Sequence, residues 1–81
     1  MDDVDMVLGM ALRRLRTKKK WSQEKLAFEA SVDRNYISLI ELGRNSPSVR
    51  MLLRLCNALG ASTAAVLKDV ERTLASAKSR E

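Results

Sequence analysis

The sequence contains no histidine and a single cysteine, Cys56. Without histidine, the chain lacks a common general base of enzymes and a common nitrogen ligand of zinc. One cysteine cannot form an intramolecular disulfide or a cysteine-rich zinc site, and an unpaired thiol is typical of a reducing compartment. The carboxylates are scattered and form no recognisable catalytic constellation. We therefore expect no enzyme activity, no catalytic residue, no metal and no cofactor.

Proline, glycine and aromatic residues are also scarce, at one, three and three of 81 residues. Strand-like alternation is absent, and helix-favouring residues dominate, which predicts an all-α fold. No apolar run approaches the ~20 residues that a membrane span needs. The acidic start, Met1–Asp3, is the reverse of a secretory signal. We expect one cytoplasmic domain over residues 1–81, with neither a membrane nor a small-molecule effector as its partner.

Positively charged residues are in excess. Fifteen Lys and Arg residues against ten Asp and Glu residues give a net charge of +5. Residues 13–54 carry eleven basic and four acidic residues, a net +7, so the flanking segments together are acidic. Such a balance favours a polyanionic partner, nucleic acid first and an anionic membrane surface second. Affinity for nucleic acid would fall steeply as salt is added.

Five helical segments are marked by caps and by apolar residues spaced three and four apart. We predict helices over residues 5–19, 23–30, 34–42, 49–59 and 63–77. Each of the last four follows a side chain that can cap a helix N-terminus, namely Ser22, Asp33, Ser48 and Ser62. Gly43 and Gly60 then end the third and fourth helices.

The second and third helices have the elements of a helix-turn-helix over about residues 22–42. Counting from Gln23 as position one, the fifth position must be small because the two helices cross there, and it is Ala27. Four more positions must be apolar to form the core between the helices, and they hold Leu26, Val32, Ile37 and Ile40. These matches at fixed offsets are a strong local signal.

The segments Trp21–Ala27 and Asp33–Pro47 resemble the Cro/phage-repressor helix-turn-helix family, also called the xenobiotic-response-element type. The family's characteristic runs are close to LSQxxLA, YISxIExGxxxP and LxxLCxALG, and the resemblance extends from about Leu8 to Leu67. It implies a five-helix, lambda-repressor-like domain that binds a palindromic operator in double-stranded DNA as a homodimer, with the third helix in the major groove. The run Asp-Arg-x-Tyr-Ile-Ser is also similar to restriction–modification controller proteins.

The resemblance also implies which residues contact DNA. Arg34 and Asn35 open the third helix, where Arg can read guanine and Asn can read adenine with two hydrogen bonds each. Gln23 resembles the family's phosphate-clamping glutamine. Two interpretations of Leu39 are open, a contact with a thymine methyl group and burial in the core. For Tyr36 the two interpretations are a contact with DNA and packing of its ring on the domain. The full expected set is Ser22, Gln23, Arg34, Asn35, Tyr36, Ser38, Leu39, Arg44, Asn45 and Ser46.

Arg16 and Glu41 fall where family members often place a buried ion pair that ties the first helix to the recognition helix. Two departures from the family are visible, because Lys20 and Ser31 stand where glycine is common. A positive φ at either site would cost a non-glycine residue about 1 kcal/mol or more. We therefore expect slight strain or a modified turn there, with the same fold.

The fifth helix has more apolar residues than a four-helix core needs. A dimer contact through Val66, Val70 and Leu74 would cover the surplus and set two recognition helices ~34 Å apart; folding back onto its own domain is the other interpretation. The expected function is a sequence-specific transcriptional regulator, such as a repressor or controller protein. The alternative is an antitoxin that binds a toxin partner and autoregulates its promoter.

Overall fold

Five α-helices make up the fold. The computed structural model describes the backbone of residues 3–79 and the side chains of residues 3–77. The helices are α1 (Asp3–Lys18), α2 (Gln23–Ala30), α3 (Arg34–Glu41), α4 (Val49–Leu59) and α5 (Thr63–Ser79). The predicted all-α fold is confirmed, and the predicted helix ends agree to within two residues. Over the described part of the chain, no helix is long and apolar enough to cross a membrane.

Side-chain caps fix the starts of four helices. The hydroxyls of the three capping serines each accept a hydrogen bond from the backbone N–H three residues on, at Lys25, Met51 and Ala65. The carboxylate of Asp33 accepts one from the N–H of Asn35 at 2.9 Å. Such caps typically stabilise a helix by ~1 kcal/mol each. All four predicted caps are confirmed.

A single apolar core gathers residues from all five helices. Its most completely buried side chains are Leu12, Leu26, Ile37, Ile40, Leu55 and Cys56. Val32, in the turn between α2 and α3, packs against this core from the side. The predicted apolar positions of the helix-turn-helix therefore lie where the motif requires them. Burial also raises the pKa of the Cys56 thiol, while a hydrogen bond with Thr63 acts to lower it.

Two glycines allow α1 to lie directly on the end of α3. A Cβ on Gly9 of α1 would overlap the backbone carbonyl oxygen of Ile40. Gly43, just after α3, has φ +74°, and a Cβ there would lie 2.9 Å from the Cα of Met6. Because both obstacles are backbone atoms, the approach of α1 to α3 depends on the absence of side chains at these positions.

Lys20 and Ser31 adopt left-handed backbone conformations, with φ of 61° and 58°. After α2, the N–H of Ser31 donates to the carbonyl of Phe28, and that of Val32 donates to the carbonyl of Ala27. This is the Schellman pattern with which helices commonly end in a glycine. The positive φ expected at these two non-glycine positions is confirmed, and the strain that it implies stays a prediction.

Replacing Ser31 by Gly is expected to stabilise the fold by roughly 0.5–1 kcal/mol, because glycine has no Cβ to oppose a positive φ. Thermal or chemical unfolding followed by circular dichroism measures the change. Ala75→Gly, at an exposed position inside α5, is the matched control and should destabilise by about 1 kcal/mol. A loss of stability in Ser31→Gly would contradict the strain.

Gly9→Ala is expected to destabilise the fold by roughly 1–3 kcal/mol, because α1 must move away from the backbone of α3. The free energy of unfolding in denaturant measures this loss. Gly60→Ala is the comparison variant, since Gly60, unlike Gly9, has a positive φ and a Cβ there meets nothing within 4 Å, so its loss reports backbone strain alone. The crossing would be less tight than described if Gly9→Ala cost no stability.

Candidate nucleic-acid interface

The α3 helix buries one side and exposes the other. Ile37 and Ile40 are each only 2% exposed and hold the helix against the core. On the opposite side, residues at i, i+1, i+4, i+5 and i+8 share one face. These are Arg34, Asn35, Ser38, Leu39 and Leu42; Ser38 is half-buried and the others are exposed. The structure therefore brings four of the predicted DNA-binding side chains together on one ridge.

Leu42 is the fifth member of this ridge, and it was not among the predicted DNA-binding residues. Its side chain is 56% exposed, and Leu39 is 41% exposed, although both are large and apolar. The spacing of three residues between them was the available signal, since it places both on one helix face. The exposed ridge of α3 therefore combines polar and apolar groups, as the edges of DNA bases do.

Tyr36 lies beside this ridge and is half-buried against the core. Burial raises the pKa of its hydroxyl, so the group remains protonated at neutral pH. A protonated hydroxyl keeps its donor hydrogen, which a phosphate oxygen can accept.

A charged network under α3 joins three helices. Glu41 accepts two hydrogen bonds from the guanidinium of Arg16, one from Nε at 2.6 Å and one from Nη2 at 2.9 Å. The side chains are 11% exposed for Arg16 and 5% for Glu41. The remaining Nη1 of Arg16 donates to the carbonyl of Trp21 at 2.7 Å. The hydrogen bond to Glu41 raises the pKa of Arg16, while burial acts to lower it.

Gln23 is the third member of this network. Its Nε2 donates to Oε1 of Glu41 at 3.0 Å, which holds the first residue of α2 against the end of α3. Among the described residues, no buried side-chain nitrogen or oxygen lacks a hydrogen-bond partner. A network in which every donor and acceptor is paired is rigid. It therefore fixes the orientation of α3 relative to α1 and α2.

The start of α2 is a second polar feature next to α3. Ser22 caps the helix as an acceptor, and its hydroxyl hydrogen is still available to donate. The Nζ atoms of Lys19 and Lys25 lie 4.7 and 5.6 Å from the ring centroid of Trp21. These cation–π contacts hold two positive charges beside the first turn of α2, whose N–H groups favour anions.

The segment after α3 holds the remaining predicted contacts. Arg44 and Ser46 are exposed, and Asn45 is half-buried. The N–H of Arg44 donates to the carbonyl of Leu39 at 2.9 Å, so this residue continues directly from the last turn of α3. The segment is thus held close to the exposed ridge.

The structure places the predicted dimer residues differently from the expectation. Val66 and Val70 are 6% and 4% exposed, because α5 folds back and packs them into the chain's own core. They therefore leave little surface for a second copy, and the prediction of an outer face at these positions needs correction. Leu74 is half-buried, and Leu67 is 42% exposed. The spacing of apolar residues along α5 predicts an apolar stripe. It does not show which helices pack against that stripe.

One ion pair at the exposed ridge was not anticipated. Oε2 of Glu24 on α2 lies 3.2 Å from Nε of Arg34 on α3, and both side chains are exposed. The two residues are ten apart in sequence and meet only because α2 and α3 cross. No local pattern in the sequence indicated this contact.

Replacing Glu41 by Ala is expected to cost about 3 kcal/mol, because the buried guanidinium of Arg16 loses its partner. Glu29→Ala is the matched control, since Glu29 pairs with Lys25 at the surface, where such pairs contribute less than about 1 kcal/mol. Thermal unfolding compares the two variants. Equal melting temperatures would mean that the Arg16–Glu41 pair is not important for stability.

Comparison with known proteins identifies the family. The helix-turn-helix family model matches residues 12–66, which is more than half of the chain. The control protein C.BamHI of Bacillus amyloliquefaciens is 38% identical over 60 residues, which cover 73% of this chain and 74% of that protein. The residues that the family model matches include the whole region from α2 to α4.

Solved structures agree with this match. The restriction-modification controller protein C.AhdI from Aeromonas hydrophila has a TM-score of 0.73 and 38% identity, covering 75% of this chain and 92% of that one. The clp gene regulator ClgR from Corynebacterium glutamicum has a TM-score of 0.86 and 35% identity, covering 95% of this chain and 82% of that one. All three are named as regulators rather than enzymes. The chain belongs to the helix-turn-helix family of DNA-binding transcriptional regulators.

Proposed function

We propose that the chain binds a palindromic operator as a homodimer, with α3 in the major groove, and regulates transcription by occupying that site. The observation that carries the proposal is the exposed ridge of α3, where Arg34, Asn35 and Leu39 stand clear of the core. An exposed helix of this kind fits the major groove, which is about 12 Å wide. The activity is binding, with no catalytic step.

Base reading is assigned to the first turns of α3. Arg34 can donate two hydrogen bonds to guanine, and Asn35 can pair with the edge of adenine. Ser38, one turn further on, can donate to either type of base. Leu39 supports a thymine-methyl contact because a large part of it is exposed. These four side chains carry the sequence preference in the proposed complex.

Backbone contacts are assigned to the residues on either side of α3. Ser22 and Gln23 would bind a phosphate together with the free N–H groups at the start of α2. Arg44, Asn45 and Ser46 would reach the backbone beyond the other end of α3. Tyr36 would add its protonated hydroxyl. Contacts of this kind set the register of the protein on the duplex without reading its sequence.

The charge distribution supports the same orientation. Residues 13–54, which contain α2 and α3, carry the net +7, whereas the whole chain carries only +5. Counterion release from DNA then makes the affinity strongly dependent on salt. An excess of positive charge in the segment that contains the motif also favours the first encounter with DNA.

A second copy is the proposed partner for the apolar surface that remains exposed. Leu53 on α4 is 52% exposed and Leu67 on α5 is 42% exposed, while Leu74 is half-buried. These residues take the place of Val66 and Val70 in the proposed contact. A two-fold axis would set the two α3 helices one DNA turn apart, ~34 Å, and would explain a palindromic site.

Two of the similar proteins are named as control or controller proteins, and a third as a regulator of clp genes. We therefore propose a controller or repressor role in the cytoplasm, where DNA is available. Regulation would follow from the concentration of the protein and from cooperative occupancy of its operator.

Selection from a random duplex library is expected to enrich sites with two inverted half-sites centred about 10 base pairs apart. Arg34→Ala should then relax the preference at one base pair in each half-site by 1–3 kcal/mol, roughly 5- to 150-fold, as measured by fluorescence anisotropy. Arg72→Ala removes the same charge from the exposed surface of α5 and should leave that preference unchanged.

The proposal fails if the protein enriches no sequence at moderate salt. It also fails if Arg34→Ala and Arg72→Ala lower the affinity equally at every sequence, because both arginines would then act only through their charge.

A further inference from the structure

Glu24 stands out because it places a negative charge on the exposed edge of α2 beside the recognition helix. Its Oε2 lies 3.2 Å from Nε of Arg34, and the two side chains are 68% and 52% exposed. A carboxylate at this place opposes the binding of phosphates, which the rest of the motif favours. Exposed pairs of this kind contribute little to fold stability. Glu24 also lies in the first turn of α2, where a negative charge favours the helix dipole. That role does not require its contact with Arg34 on the neighbouring helix.

The Glu24 carboxylate contacts one particular nitrogen of the Arg34 guanidinium, which leaves the others for DNA. A guanidinium has one N–H on Nε and two on each terminal nitrogen. The ion pair with Glu24 uses Nε, so the two terminal nitrogens keep their hydrogens. These are enough for an end-on, two-hydrogen-bond contact with O6 and N7 of guanine. Glu24 can therefore hold Arg34 without occupying the groups that would read a base.

We propose that Glu24 is a positioning residue that orients Arg34 for end-on guanine recognition and opposes non-specific binding by its own charge. This inference rests on the proposed function. The Glu24 carboxylate remains on Nε of Arg34 in the specific complex, which reduces the number of side-chain conformations that Arg34 loses on binding. At a random sequence a guanine meets the held guanidinium only by chance, so the repulsion between Glu24 and phosphates is less often compensated.

The test compares two acidic residues of the same helix. Glu24→Ala and Glu29→Ala each remove one exposed negative charge from α2, and each breaks an exposed ion pair. Only Glu24 contacts Arg34. Binding of each variant is measured at fixed salt to the duplex that the wild type selects, to that duplex with the Arg34-dependent base pair changed, and to a random duplex.

Glu24→Ala is expected to lower the preference for the Arg34-dependent base pair by about two- to fivefold, which is what an exposed ion pair worth less than about 1 kcal/mol can supply. Its affinity for the random duplex should rise. Glu29→Ala should change that preference by less than about twofold. Glu24→Gln keeps an oxygen acceptor and should recover part of the preference, and the melting temperature should stay close to that of the wild type.

A double-mutant cycle separates positioning from simple charge. In an Arg34→Ala background, Glu24→Ala should no longer affect the preference at that base pair, because the side chain that it positions is absent. The inference is overturned if the effect persists in this background, or if Glu24→Ala and Glu29→Ala change the preference equally. In either case the wild type would still select an operator, so the proposed function would stand. If the wild type selects no sequence, the proposed function fails and the inference fails with it.

Discussion

The two hydrogen bonds between Arg16 and Glu41 are the interaction on which the presentation of α3 depends. Both charges are largely removed from water, which is costly unless every donor and acceptor is used. Here Glu41 accepts from Arg16 twice and from Gln23 once, and Arg16 also donates to the carbonyl of Trp21. One network thereby fixes α1, the start of α2 and the end of α3. The direction of the recognition helix follows from it.

The same crossing explains why small residues are needed nearby. A guanidinium on α1 can reach the end of α3 only if the two backbones are close, and Gly9 and Gly43 remove the side chains that would separate them. The glycines remove the steric obstacle to close backbone contact, whereas the buried ion pair carries a desolvation cost. Together they specify one arrangement of the helices, since a displaced α1 would leave both charges unpaired.

The parts of this structure that the sequence predicts well are those set by neighbours along the chain. Caps such as Ser22 and Asp33, and the positive φ at Ser31, follow from local hydrogen bonding and from the fixed offsets of the motif. The dimer contact predicted for Val66 and Val70 is wrong because the spacing of apolar residues reveals a stripe but not the helices that pack against it. The contact of Glu24 with Arg34 has no local signal in the sequence for a related reason, since it depends on the angle between two helices.

The division of α3 into two sides separates stability from recognition. Ile37, Ile40 and Glu41 hold the helix in place, whereas Arg34, Asn35 and Leu39 contribute little to the core. Substitutions on the exposed side can therefore change the preferred DNA sequence while leaving the helix in the same position. Glu24 also lies outside the core, and it contacts a residue of the exposed side. A scaffold built in this way can support different operators through changes at a few surface positions, because its rigid network does not include the side chains that we propose to read the bases.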